Sequence, residues 1–117
     1  KLIDELPIIA VIATQAEGKT VIKNAEELRV KETDRIEAMV TELKKMGAEI
    51  EELPDGMIIE GPTCLKGGVT LNSYGDHRIA MSLAIAGLIC ERQIKIKNTD
   101  CIETSFPDFT NLLNSLF

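Results

Sequence analysis

Two helical segments of the chain are apolar on every side, and they restrict the possible folds more than any other feature. Residues 8–13 read I-I-A-V-I-A, and residues 79–90 form a longer stretch of the same kind. A helix that is hydrophobic all round is buried, whereas the strictly alternating strand predicted at 93–97 has one face in water. We therefore predict an α/β fold with helices inside and sheets outside. This reverses the common arrangement, in which helices cover a buried sheet.

Local signals predict helices and strands along the whole chain. Asp, Gly and Pro residues mark where these elements begin and end. The predicted elements are, in order, a helix capped by Asp4 that stops near Gly18, a strand at 20–23, a helix at 31–46 ended by Gly47, a hairpin with its turn at 54–56, a strand at 69–71, a helix at 79–90 capped by Asp76, a strand at 93–97 and a helix at 106–116.

The order of these elements indicates an internal repeat. Asp4, a buried-type helix and I-K-N at 22–24 recur as Asp76, a buried-type helix and I-K-N at 96–98. The pattern predicts a β-α-β-α-β-β unit that occurs twice, over about 1–61 and 68–117, within a single domain of 117 residues. The first copy would lack its first strand and the second copy its last two. Two coincidental α/β stretches are the alternative.

Composition and charge exclude several classes of function. Apolar residues make up 44% and charged residues 27%, and no apolar run or leader indicates a membrane or secreted protein, so we predict a cytoplasmic one. A net charge of −6 and 3% aromatic residues disfavour nucleic-acid binding. The cysteines, Cys64, Cys90 and Cys101, lack C-x-x-C spacing, which is typical of a reducing compartment and argues against a metal site.

Cationic residues stand where two of the helices are predicted to begin. Lys31 and Arg35 are four residues apart, beside Glu32, and would share one helix face, while His77 and Arg78 open the third helix. Cations there oppose the helix dipole, so stability alone does not explain them. Helix N-termini also attract anions, so the pattern predicts a site for a small, multiply charged anion such as a phosphate or a carboxylate. A solvated surface cluster is the alternative.

Four motifs occur in a fixed order: D-E-L-P at 4–7, L-R-V-K-E-T-D-R-I at 28–36, Y-G-D-H-R-I-A-M at 74–81 and S-F-P-D-F at 105–109. Together they resemble the C-terminal part of the EPSP synthase family, and the resemblance covers essentially the whole chain. It implies part of an inside-out α/β barrel, the enolpyruvyl transferase fold, in which each of two domains is built from three β-α-β-α-β-β units. An N-terminal domain, absent from this chain, would complete the enzyme.

The resemblance also implies a reaction of the shikimate pathway that leads to aromatic amino acids. Family members transfer the enolpyruvyl group of phosphoenolpyruvate to the 5-hydroxyl of shikimate 3-phosphate and release phosphate, without a metal or cofactor. By position, Asp4 corresponds to the base that contacts the shikimate hydroxyls, and Glu32 to the residue that moves the proton at the methylene carbon. Lys31 corresponds to a lysine near the target hydroxyl, sometimes assigned to proton transfer instead.

The remaining candidates would bind substrate. Arg35 and Arg78 correspond to a pair that clamps phosphoenolpyruvate, and His77 to a histidine that lines the site; Glu27 and Thr104 complete the candidate set. Thr104 stands where many members carry a lysine, so that contact would be neutral or absent, and glyphosate, which competes for the pocket, would bind differently. Because most shikimate 3-phosphate ligands belong to the other domain, the chain alone is expected to be inactive.

Three other functions stay open at this stage. A sister enolpyruvyl transferase that acts on UDP-N-acetylglucosamine shares the fold, although the motifs at 31–36 and 75–81 favour the shikimate enzyme. A relative that acts on RNA 3′-phosphate ends is disfavoured by the negative charge and the scarce aromatic residues. The third alternative is an anion-binding module without catalytic activity.

Overall fold

The computed structural model describes residues 5–31, 33–90 and 94–97. Short helices alternate with strands along this part of the chain. The elements are α1 (Leu6–Ala13), β1 (Gly18–Ile22), a 3₁₀ helix (Glu26–Val30), α2 (Arg35–Lys45), β2 (Glu49–Leu53), β3 (Gly56–Gly61), β4 (Thr70–Asn72), α3 (His77–Ile89) and β5 (Lys95–Lys97).

The strands form two sheets of different kinds. In the three-stranded sheet the order is β1-β3-β2, and β3 pairs antiparallel with both neighbours, so that Ile59 stands opposite Thr20 and Ile50. In the second sheet β4 and β5 are parallel, with Leu71 opposite Ile96. Parallel neighbours need a crossover connection, and α3 provides it.

The helices lie inside and the sheets outside, as the sequence predicts. The helix α1 packs against α3 and α2, while β2 and β3 pack on α2, and β5 packs on α3. From α2, the side chains of Ile36, Met39 and Leu43 are fully buried. The outer face of the three-stranded sheet carries exposed residues, including Glu49, Glu51, Glu60 and Lys19.

The helices are not covered on every side, which differs from the prediction. Ala10, Val11 and Ala13 of α1 are buried, but Ile12 of the same helix is 58% exposed. Leu88 and Ile89 at the end of α3 are also exposed. The helices α1 and α3 therefore each have an apolar side that nothing in the described residues covers.

The start of the second helix was predicted wrongly. The chain forms a 3₁₀ helix at Glu26–Val30, continues through an extended Lys31, and begins α2 only at Arg35. The side chain of Asp34 accepts a hydrogen bond from the Glu37 amide at 3.0 Å, which makes Asp34 the N-cap. Consequently Lys31 and Arg35 do not share the face of one helix.

Most other boundaries agree with the predicted ones to within a few residues. The hairpin turns through Pro54 and Asp55, and Gly47 ends the second helix at φ +88°, a conformation that favours glycine. The helix α1 ends at Ala13, before Gly18, and α3 begins at His77, before the predicted residue 79. The predicted cap Asp4 and the predicted helix at 106–116 lie outside the described residues, so both stay predictions; Glu5 holds the N-cap position of α1 without a side-chain capping bond.

Ile59 gives a test of the packing between the sheet and the helices. Its side chain is fully buried on the central strand β3, so Ile59→Ala leaves a cavity and should lower the free energy of unfolding by about 2–5 kcal/mol. Val21→Ala on β1 is the control. Because Val21 is 45% exposed, this substitution should lower the free energy of unfolding by less than about 1 kcal/mol. Urea unfolding of the chain followed by circular dichroism measures both, and equal losses would contradict the layering.

Candidate functional site

A buried ion pair joins the beginnings of α2 and α3. Arg35 Nε donates to Asp76 Oδ2 at 2.7 Å and Arg35 Nη2 donates to Asp76 Oδ1 at 3.1 Å. The two residues are 2% and 0% exposed. The guanidinium and the carboxylate meet edge to edge, which is the strongest geometry available to such a pair.

The same carboxylate caps α3. Asp76 Oδ1 accepts hydrogen bonds from the backbone amides of Arg78 at 2.9 Å and Ile79 at 3.4 Å. The cap was predicted from sequence, and the structure confirms it. The bond from Arg35 to this cap was not predicted. Arg35 therefore has a structural partner inside the protein.

The helix α1 reaches the same place, because the residue at its N-cap, Glu5, pairs with Arg78 of α3. Arg78 Nη1 lies 3.1 Å from Oε1 of Glu5, the residue that precedes α1, and the Arg78 side chain is 35% exposed. The N-terminal ends of α1, α2 and α3 therefore converge, held together by Arg35, Asp76, Arg78 and Glu5. Because helix N-termini carry partial positive charge, this convergence adds positive charge to a cluster in which Asp76 and Glu5 pair with the two arginines.

The other predicted site residues lie at the start of α3, in the segment before α2, or outside the described part of the chain. His77 is the first residue of α3 and is partly exposed, and Lys31 is partly exposed between the 3₁₀ helix and α2. Glu27 is exposed in the first turn of the 3₁₀ helix, and the contacts of the described residues do not join it to the arginines. The candidates that lie outside the described residues are Asp4, Glu32 and Thr104.

Arg29 fixes the segment that carries Lys31, and the sequence analysis did not single it out. Its guanidinium donates to Asp34 Oδ2 at 2.8 Å and to the backbone oxygens of Pro54 and Leu53 at 2.8 and 2.7 Å. Glu52 pairs with it as well, at 2.8 Å. Hydrogen bonds to Asp34 and Glu52 raise the pKa of Arg29 above its ordinary value. The hairpin turn thus holds the cap of α2 in place.

Two features typical of other classes of protein are absent from the described residues. Residues 5–31, 33–90 and 94–97 contain no group of three or more His, Cys, Asp or Glu side chains that could hold a metal ion. In the same residues, none of the helices combines the length and the apolar character needed to cross a membrane.

The fold and the charged helix ends place the chain among inside-out α/β proteins. In a structure of EPSP synthase from Acinetobacter baumannii, the matching part superposes with a TM-score of 0.91 at 46% identity, over 97% of this chain and 27% of that one. A second structure of EPSP synthase from the same organism matches with a TM-score of 0.84 at 41% identity, over 94% of this chain and 26% of that one.

Sequence comparison gives the family. The family described as EPSP synthase (3-phosphoshikimate 1-carboxyvinyltransferase) matches residues 1–113. The 3-phosphoshikimate 1-carboxyvinyltransferases of Thermodesulfovibrio yellowstonii and Bacillus subtilis are 60% and 58% identical to this chain over 99% of its length. The chain therefore belongs to the EPSP synthase family, which confirms the predicted fold class, and it spans 27% of the length of these relatives.

A matched pair of cap variants tests the role of the buried pair. Asp76→Asn keeps an oxygen for the cap but leaves the Arg35 charge buried without a counter-charge, so unfolding should become easier by about 3–5 kcal/mol. Asp34→Asn is the control: Asp34 also caps a helix and pairs with an arginine, Arg29, but this pair is 25–29% exposed and should cost about 1 kcal/mol or less. Urea titration measures both variants, and similar losses would show that burial of the pair is unimportant.

Proposed function

We propose that the protein to which this chain belongs transfers the enolpyruvyl group of phosphoenolpyruvate to the 5-hydroxyl of shikimate 3-phosphate and releases phosphate. Family membership over residues 1–113 supports the reaction. The structural observation that carries the proposal is the position of Asp76, which binds the guanidinium of Arg35 and the backbone amide of Arg78 and so joins the two helices that carry the residues expected to bind phosphoenolpyruvate. Two separate surface clusters would have given the reaction no such support.

The arginines would hold the anionic groups of phosphoenolpyruvate. A planar guanidinium matches a carboxylate or a phosphate with two parallel hydrogen bonds, and a lysine cannot do this. Asp76 engages Nε and Nη2 of Arg35 and so holds this guanidinium in one orientation. Because this group is already oriented and removed from water, it would stabilise charge without rearranging during the reaction.

Other residues than the arginines would transfer the protons. Addition requires an acid that protonates the methylene carbon of phosphoenolpyruvate and a base that takes the proton of the attacking hydroxyl. We assign these steps to Glu32 and Asp4, with Lys31 near the hydroxyl and His77 lining the site. In the elimination step the proton leaves the methyl carbon, the enolpyruvyl double bond re-forms, and phosphate departs towards the arginines. These roles come from the resemblance, as does the expectation that no cofactor takes part.

The rest of the enzyme would bind the other substrate. In this proposal an N-terminal domain of the same protein binds most of shikimate 3-phosphate, and Thr104 leaves the phosphoenolpyruvate pocket without the lysine that many members carry. The two repeat units at about 1–61 and 68–117 belong to one domain, and a cytoplasmic location suits the reaction. The separate antiparallel and parallel sheets are consistent with two incomplete copies of one unit.

A segment exchange tests the proposed reaction. The chain should replace the matching segment of the Bacillus subtilis 3-phosphoshikimate 1-carboxyvinyltransferase, to which it is 58% identical, and the chimera should release phosphate from phosphoenolpyruvate and shikimate 3-phosphate. The isolated chain, which lacks the partner domain, should release none. A folded but inactive chimera, turnover with UDP-N-acetylglucosamine instead of shikimate 3-phosphate, or a normal rate from the isolated chain would each contradict the proposal.

Glu32→Gln in the chimera separates catalysis from anion binding. Loss of a general acid–base group should lower kcat by about 10²–10⁴-fold, while phosphoenolpyruvate binding by calorimetry should change by less than about threefold. Glu37→Gln is the control, because Glu37 is an exposed glutamate of α2 and should leave both values unchanged. Equal losses of binding and turnover in the Glu32 variant would point to a binding role instead, and unchanged turnover would remove Glu32 from the mechanism.

A further inference from the structure

A second buried carboxylate lies on α2, outside the residues considered so far. Glu42 is 0% exposed, and its Oε1 accepts hydrogen bonds from Lys45 Nζ and from the backbone amide of Asn72, both at 2.8 Å. Its Oε2 accepts one from the Tyr74 hydroxyl at 2.6 Å. Burial raises the pKa of Glu42, but these hydrogen bonds together bring the pKa below its ordinary value, so the carboxylate is ionised at neutral pH.

Two of these three donors belong to residues 72–76, here called the site loop, which leads from β4 to α3. Tyr74 has φ +58°, a left-handed conformation that bulky residues rarely adopt, and Gly75 follows with φ +73°. Such a conformation persists when the surroundings determine it from several sides. The Tyr74 amide bonds to Asn72 Oδ1 at 2.8 Å, and its hydroxyl bonds to Glu42.

The Tyr74 hydroxyl stays protonated and can therefore act as the donor to Glu42. Burial, and then the hydrogen bond to the Glu42 carboxylate, raise the pKa of Tyr74 to about 12. The remainder of the site loop is fastened to β5, because Ser73 donates to the Lys97 backbone oxygen through Oγ at 2.7 Å. Asp76 closes the loop with a bond from its amide to the Ser73 oxygen at 3.0 Å.

The helix α2 therefore holds the site loop at two points. Arg35 and Glu42 are seven residues, or two helical turns, apart, so they lie on the same face of α2. Arg35 binds the last residue of the site loop, Asp76, and Glu42 binds the first and third residues, Asn72 and Tyr74. If the Glu42 contacts are lost, Asp76 can still bind Arg35 and Ser73 can still bind β5, but Asn72 and Tyr74 are no longer held to α2, so the path of the chain into His77 and Arg78 is less firmly fixed.

We propose that Glu42 and Tyr74 are positioning residues for phosphoenolpyruvate binding: together they fix the site loop and so set where Asp76, His77 and Arg78 stand. This inference rests on the proposed function and adds to it two residues that do not touch the substrate. Glu42 acts through the loop on Arg78 and on the partner of Arg35. Lys45, the third donor to Glu42, is not part of the loop and has no such role.

The test uses the chimera described above, with steady-state kinetics for each substrate. Tyr74→Phe removes only the hydroxyl and should raise the KM for phosphoenolpyruvate by about fivefold to tenfold, with the KM for shikimate 3-phosphate unchanged. Glu42→Met removes both loop contacts and should raise the KM for phosphoenolpyruvate further. Glu42→Gln can still accept a hydrogen bond from the Asn72 amide and donate one to the Tyr74 oxygen. Its KM for phosphoenolpyruvate should therefore lie close to that of the unsubstituted chimera. Lys44→Met is the matched control, because Lys44 is an exposed lysine of the same helix, and it should behave as the unsubstituted chimera.

Hydrogen exchange separates this proposal from the proposed function. In Tyr74→Phe the amides of 72–78 should exchange faster, and in Lys44→Met they should not, whether or not the chimera turns over. An inactive unsubstituted chimera would refute the proposed reaction alone. The positioning role is overturned if Tyr74→Phe changes neither exchange nor KM, if it alters both KM values and the melting temperature together, or if Lys44→Met has the same effect.

Discussion

The buried pair between Arg35 and Asp76 is the interaction on which the candidate site depends. It connects residues 41 positions apart, fixes the start of α2 against the start of α3, and also caps α3. Removing two charges from water is costly, and a hydrophobic pair of similar volume is often as stable. The pair therefore contributes less to stability than to geometry: it places a guanidinium at one defined position and orientation between two helix ends.

The inside-out arrangement explains why the functional candidates gather at helix N-termini. Since the helices pack against one another, their N-terminal ends meet, and the residues there stand on packed elements instead of long surface loops. A site on rigid elements holds its geometry more closely than a site on mobile loops. The exposed apolar residues Ile12, Leu88 and Ile89 fit a chain that spans 27% of the length of its relatives, because the helices would be buried on all sides only within a larger assembly of units.

Local patterns sufficed for much of the fold and for one part of the site. The layering, the hairpin and the Asp76 cap follow from periodicity and from turn and cap residues, all of which act over a few positions. The start of α2 could also have been predicted, because Asp34 and Glu37 are three residues apart, which is the spacing of a capping box. The charge pattern at 31–35 led instead to the prediction of an earlier start. The hydrogen bonds from Arg35 to Asp76 and from Tyr74 to Glu42 join residues that are 41 and 32 positions apart. No local sequence pattern predicts either of them.

The pairing of Arg35 with Asp76 also bears on how an anion could be bound without a large rearrangement. An exposed arginine would have to lose water and side-chain freedom on meeting the substrate, whereas Arg35 has already lost both during folding. Asp76 balances the charge of Arg35 and Glu5 that of Arg78, while the three converging helix ends add partial positive charge. A doubly charged anion would therefore meet a guanidinium that is oriented beforehand and a field that still favours it. A lysine in place of Arg35 could not bind Asp76 with two parallel hydrogen bonds, so the geometry of the buried pair depends on arginine at this position.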